Sequence, residues 1–156
     1  MTDAHVSDPA ELVRQLSVDQ VAFAGLPDDP ALQDQLAAVV DDSTGMIVAP
    51  AGEATPADLR DLAQDVLDTS ALHTVVVRSP ESVAAVSDLH SRAELEVAQT
   101  RMLAEPDYVA GLSEFQGAVG FLDVPWLTLA AVAVVALLTV IAWTIQSVRS
   151  GTLTQS

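Results

Sequence analysis

GMIVAPAGEATPADLRDLAQDVLDTSALHTVVVRSP, residues 45–80, decides the fold. It opens on a compact apolar run of strand length, Met46 to Ala49, closed by Pro50. Thr55 and Pro56 then give a helix start, because a Thr side chain can cap free amides and Pro lacks the amide that would otherwise be orphaned. Leu59, Leu62, Ala63, Val66 and Leu67 follow at helical spacing and make one apolar stripe. After Ser70 come Thr74, Val75, Val76 and Val77, β-branched residues in a row, which read as the clearest strand of the chain. Strand, helix, strand in this length predicts a βαβ unit, and the unbroken apolar character of both strands predicts a sheet covered on both faces.

Working outward, QVAFAG (residues 20–25) reads as an earlier strand stopped by Gly25 and Pro27. SDPAELVRQL starts a helix with Asp8 as N-cap, Pro9 at N1 and Glu11 at N3, a capping-box arrangement. DDPALQDQLAAVV repeats the Asp-Pro start and spaces Leu32, Leu36 and Val39/Val40 along one helical face. The expectation is therefore an α/β domain over residues 8–119 with a small βαβαβ sheet, parallel strands and right-handed crossovers. Beyond Pro80, residues 82–104 admit two readings: a fourth strand in SVAAVS followed by a helix, or one long helix from Ser79-Pro80-Glu81 through ELEVAQTRML. EPDYVAGLSEFQGAV predicts a final helix, with Gly117, Gly120 and Pro125 as bend points and a short linker over 120–125. Residues 1–7 read as a flexible N-terminus.

Residues 124–146 carry no charged side chain. From Trp126 to Gln146 a helix would run about 31 Å, matching a hydrocarbon layer of roughly 30 Å. Trp126 and Trp143 stand near its ends, where aromatic belts form. The expectation is one transmembrane helix over 126–146 in contact with the lipid bilayer, followed by a short tail, 147–156. With no ionisable residue inside, the segment reads as an anchor and not as an ion or proton path. Ala130, Ala133 and Ala136 form a small-residue stripe, for which lipid-facing packing is the plainer reading and helix pairing the alternative. Oligomeric state is left open by the sequence.

Charge is distributed unevenly. Up to Asp123 there are five Arg against all 22 Asp and Glu, a formal charge of −17, while Arg149 alone gives the remainder +1; Lys is absent. Such a domain repels phosphate backbones, so no nucleic acid is expected as a partner. With Arg149 as the basic residue beside the hydrophobic segment, positive-inside logic places the tail in the cytoplasm and the acidic domain outside a cell membrane. MTDAHVSDPAELVRQ has neither the basic nor the apolar region of a cleavable signal peptide, so the competing arrangement is a tail-anchored cytoplasmic domain.

Candidate chemistry is sparse. Zero Cys removes disulfides, thiol catalysis and Cys-based metal sites. Asp58, Asp61, Asp65 and Asp68 form an acidic strip, best read as the polar side of an amphipathic helix, since one helix face cannot wrap a cation that wants six to eight oxygens. Asp28-Asp29 and Asp41-Asp42 sit where turns and caps use Asp. His5, His73 and His90 are far apart, and no HExxH, GxSxG or phosphate-loop pattern occurs. No residue is therefore assigned as catalytic, cofactor-binding or metal-binding, no cofactor is expected, and the chain reads as non-enzymatic.

The VVVRSPESVAAVS run, the Glu-rich segment after it and the DVPW entry into the hydrophobic segment resemble a mycobacterial and corynebacterial family of small single-span membrane proteins. Members of that family are often encoded beside cell-wall endopeptidases. More distantly, the domain is similar to TPM-type α/β domains, a likeness that favours a strand for Ser82–Ser87 and an outward placement. The resemblance implies a non-catalytic, membrane-anchored interaction or scaffolding module of the cell envelope, with a protein partner such as a cell-wall enzyme. The alternatives are a divergent metal-dependent hydrolase or phosphatase, and a cytoplasmic tail-anchored adaptor.

Overall fold

In the computed structural model, residues 8–52, 54–121 and Val134 are described. The chain divides into two compact units, Met1–Leu122 and Asp123–Ser156. In the second unit the description covers Val134 alone, so the segment expected to span a membrane, 126–146, and the tail, 147–156, lie otherwise outside the described residues, as do residues 1–7. Among the described residues no helix is long and apolar enough to cross a membrane.

The first unit is mixed α/β, in the order α1 (Pro9–Asp19), β1 (Val21–Phe23), α2 (Pro30–Ala37), β2 (Thr44–Val48), α3 (Pro56–Thr69), β3 (Thr74–Arg78), β4 (Val83–Ser87), α4 (Arg92–Ala104) and α5 (Tyr108–Phe121). The residue pattern explains the starts. Pro opens α1, α2 and α3, and Asp8, Asp29 and Thr55 cap them. Around α3 a complete capping box forms, with Thr55 Oγ1 accepting from the Asp58 amide and the Asp58 carboxylate accepting from the Thr55 amide. Ser91 and Glu94 repeat that exchange at α4. The box expected at Asp8 does not close: Asp8 accepts from the Ala10 amide, while Glu11 turns along the helix to Arg14 and Gln15. A guanidinium one turn on offers a charge-assisted bond stronger than the one to a neutral amide.

Four strands form one sheet in the order β1-β2-β3-β4, with β1, β2 and β3 parallel and β4 antiparallel to β3. Residues 82–104 are thus strand plus helix. The parallel part cannot extend into β4, because only a short turn separates it from β3; Ser79 closes that turn through its amide and hydroxyl, both donated to the Ser82 carbonyl.

Alternate strand residues feed two cores. Val21, Phe23, Met46, Val48 and Val76 face Leu36 of α2 and Leu95, Met102, Leu112 and Phe115 of α4 and α5. Ala22, Ile47, Val75 and Val77 face Leu12 and Leu16 of α1 and Leu59, Ala63 and Val66 of α3. Each large aliphatic side chain so buried contributes about 1.5–3 kcal/mol before the entropic cost of ordering it. The two crossovers are not both right-handed, contrary to the expectation from the sequence. The steps β1 to β2 and β2 to β3 go the same way along the sheet, yet α2 and α3 cover opposite faces. The two crossovers therefore have opposite hands, and only one follows the right-handed preference. The bend points expected at Gly117 and Gly120 are also displaced, since both lie inside α5.

Candidate functional site

In open sheets of parallel strands, ligands gather beyond the carboxyl ends of the strands. Here those ends are Phe23, Val48 and Arg78. After β1 the chain turns through Gly25, whose φ of 65° lies in the left-handed region that glycine enters without steric cost. The turn and the start of α2 leave a shallow cleft of about 470 Å³, with Phe23, Leu26, Leu32 and Val48 as its apolar side and Asp28 and Asp29 among its polar lining. Asp29 is committed to the cap of α2, accepting from the Ala31 and Leu32 amides at 3.1 and 3.2 Å.

Beside Val48, its register partner across the sheet, stands Arg78. It is 2% exposed, at the end of a strand that is otherwise apolar apart from Thr74. Among the described residues no carboxylate pairs with it. Instead Nη1 donates to the Asp107 carbonyl at 3.2 Å, and Nη2 donates to the carbonyls of Glu105 and, at 3.5 Å, Pro106. The guanidinium lies 4.3 Å from the Tyr108 ring centroid, a cation–π contact. Nε is buried without a hydrogen-bond partner. Desolvation pulls the Arg78 pKa below its ordinary value, against the opposing pull of Tyr108, Asp107 and Glu105. Tyr108 is pushed upward by its own burial, with Arg78 acting in the other direction. The space for this arrangement comes from Gly111, where a Cβ would sit 2.2 Å from Arg78 Nη1. Arg78 therefore ties the end of β3 to the carbonyls between α4 and α5, and its donors are spent on main chain. Nothing in the spacing of the sequence announced this hub. The available signal was a single Arg closing an apolar strand, since a buried cation at that position must find carbonyls or a carboxylate.

The residues weighed from sequence are spread over the surface. Asp58, Asp61, Asp65 and Asp68 are all exposed on α3; Asp58 serves the cap, and Asp68 accepts from Gln64. Hydrogen bonding to Thr55, through side chain and then backbone, holds the Asp58 carboxyl below its ordinary value. Asp41 is a second hub, at the other end of the sheet. It accepts from the Ser43 amide and hydroxyl, the Thr44 hydroxyl and, from α5, the Gln116 amide at 2.9 Å. Burial raises its pKa, but these hydrogen bonds outweigh that and hold it below the ordinary carboxylate value. His73 is exposed and meets Asp88 at 3.0 Å. Ser87 lies nearby, yet its hydroxyl donates to the His73 carbonyl and accepts from the Leu89 and His90 amides, so it closes a turn and is not held as a nucleophile. His90 is half-buried in that same turn, and His5 lies outside the described residues. Among the described residues no group of three or more His, Asp or Glu side chains is placed to hold a metal ion.

A family model described as membrane protein Rv1476 matches residues 4–155 of the chain. No curated protein and no solved structure matches it.

Proposed function

The chain belongs to the family described as membrane protein Rv1476, and from that premise we propose that it is a single-span protein whose acidic domain is a non-catalytic interaction module at the cell envelope. Residues 126–146 are the anchor in this reading, supported by their length, their lack of charge and the flanking Trp126 and Trp143. The domain is read as TPM-like, which a four-stranded sheet with helices on both faces supports. Arg149 supports placing it outside the cytoplasm, with a cell-wall enzyme as the kind of partner to regulate or scaffold.

The observation that carries the non-catalytic reading is Arg78. At the strand ends, where a parallel sheet would present reactive groups, the cation is buried and bound to three main-chain carbonyls. It is built to hold two helices in place, not to meet a substrate. A topology experiment tests the anchored, outward placement: alkaline phosphatase or a fluorescent protein fused to the N-terminus of the full chain. Phosphatase activity with a dark fluorescent fusion is the expected result. Fluorescence with inactive phosphatase would replace the reading with a cytoplasmic tail-anchored adaptor.

A second reading has one observation in its favour, the cleft where Asp28 stands beside Asp29 at the end of β1. There a divergent hydrolase could hold a divalent cation through carboxylates. Calorimetric titration of the full chain with Mg²⁺ or Ca²⁺ separates the two: heat lost on Asp28→Asn supports the hydrolase, and a flat titration removes it.

A further inference from the structure

Helix α4 has two unlike faces. Leu95, Ala98 and Met102 are buried in the core shared with α5. Opposite them, Ala93, Val97, Thr100 and Ala104 are exposed. Their spacing of four, three and four places them in one seam along the helix. Val97 is 45% exposed and Leu103, beside the seam, 44%. Thr100 donates its hydroxyl to the Glu96 carbonyl at 2.8 Å, which satisfies the polar atom within the helix. Ala93, Glu96, Val97, Thr100 and Arg101 line a shallow depression of about 530 Å³ there.

Charge separates this face from the rest of the domain. α4 holds Arg92 and Arg101 against Glu94 and Glu96 and is neutral, whereas α3 carries −3 and α1, α2 and α5 carry −1 each. The ion pairs among the described residues are Arg14–Glu11, His73–Asp88 and Arg92–Glu96, so Arg101 has none among them.

We propose that the seam of α4 is a self-association surface and that its occupant is α4 of a second copy of this chain. Two copies of so acidic a domain repel, and α4, the one neutral helix among α1 to α5, is where that repulsion is weakest. The small residues of the seam let two helix backbones come close. The flanking charges are self-complementary in either orientation of the pair. Antiparallel helices bring together the same flank of each, setting Arg101 of one copy against Glu94 of the other. Parallel helices bring opposite flanks together, setting Arg101 against Glu96 of the other copy, five residues away in the heptad sense. Two helices of 13 residues bury less than the roughly 1,200 Å² of a stable soluble interface. The pair is therefore weak in free solution and, on the anchored reading proposed above, gains from confinement of both copies to one membrane.

Disulfide trapping suits this chain, which has no Cys to interfere. The full chain in detergent is tested at raised concentration as Val97→Cys alone, and as Val97→Cys mixed with Thr100→Cys. Val18→Cys is the control, since Val18 is 78% exposed on α1. Covalent dimer several-fold above the control is expected from the single variant for a parallel pair, or from the mixture for an antiparallel one. Adding Arg101→Glu, which places like charges across the interface, should lower the yield about tenfold. Arg101→Lys should retain it. Yields no higher than the control in both arms overturn the proposal. So does a dimer untouched by Arg101→Glu, or trapping to a different protein only.

Discussion

Gly111 and Gly117 lie six positions apart on α5, and the same substitution at each should move stability in opposite directions. Gly→Ala in a helix interior is worth about 1 kcal/mol of stabilisation, from backbone entropy lost in the unfolded chain. At Gly117 nothing among the described residues lies within 4 Å of an added Cβ, so that gain should appear nearly whole. At Gly111 the Cβ would come 2.2 Å from Arg78 Nη1 and 3.1 Å from the Met102 carbonyl. Arg78 cannot swing aside cheaply, because its donors are bound to the carbonyls of Glu105, Pro106 and Asp107 and its face lies on Tyr108. Hydrogen bonds involving a charged group contribute roughly 1.5–3 kcal/mol each, and losing one or two outweighs the helix gain. Gly111→Ala should therefore be destabilised by about 2–4 kcal/mol, or roughly 10 °C in Tm, with Gly117→Ala raised by a few degrees. Thermal melts of the full chain in detergent, followed by circular dichroism, measure both. In an Arg78→Met background, already weakened by its orphaned carbonyls, the added cost of Gly111→Ala should shrink below about 1 kcal/mol. If Gly111→Ala melts with or above Gly117→Ala, or the cost persists without Arg78, the tight packing around the guanidinium is wrong.

Asp41→Ala should cost about 1–3 kcal/mol in urea denaturation, because it strands the Gln116 amide and two hydroxyls. Asp41, Asp58 and Glu94 all have carboxyls held below their ordinary values. Their contribution should be complete at neutral pH and lost as the pH falls below about 4, where the folded state resists protonation more than the unfolded one. Urea midpoints at pH 7, 5 and 3 follow this, and Asp41→Ala should flatten the acid limb. Gln20 closes α1 at a φ of 63°, so Gln20→Gly should stabilise by about 0.5–1 kcal/mol, read as a rise in Tm. Thr55→Ala and Ser91→Ala should each lose about 0.5–2 kcal/mol in the same melts, as cap removals do.

Much of the secondary structure was written in short-range chemistry. The Asp-Pro and Thr-Pro starts of α1, α2 and α3 and the β-branched run of β3 need only neighbouring residues to act. The same holds for the capping pairs Thr55–Asp58 and Ser91–Glu94, three residues apart. Glu11 was misread because three residues also separate it from Arg14, and the stronger partner prevailed.

Residues far apart in the chain settled the rest. Asp41 and Gln116 are 75 positions apart, and Arg78 reaches carbonyls 27 to 29 residues on. Neither contact has a local signature, because each exists only once the sheet has stacked its helices. The opposite hands of the two crossovers depend likewise on which face each helix covers. An amphipathic helix records that it has an apolar face, but not which side of the sheet will bury it. The sequence by itself therefore determined the kinds of element, the acidic surface and an uncharged segment long enough for a membrane. Tertiary packing alone decided the hands of the crossovers, the burial of Arg78 and which face of α4 is left outward, because burial is a property of what lies opposite.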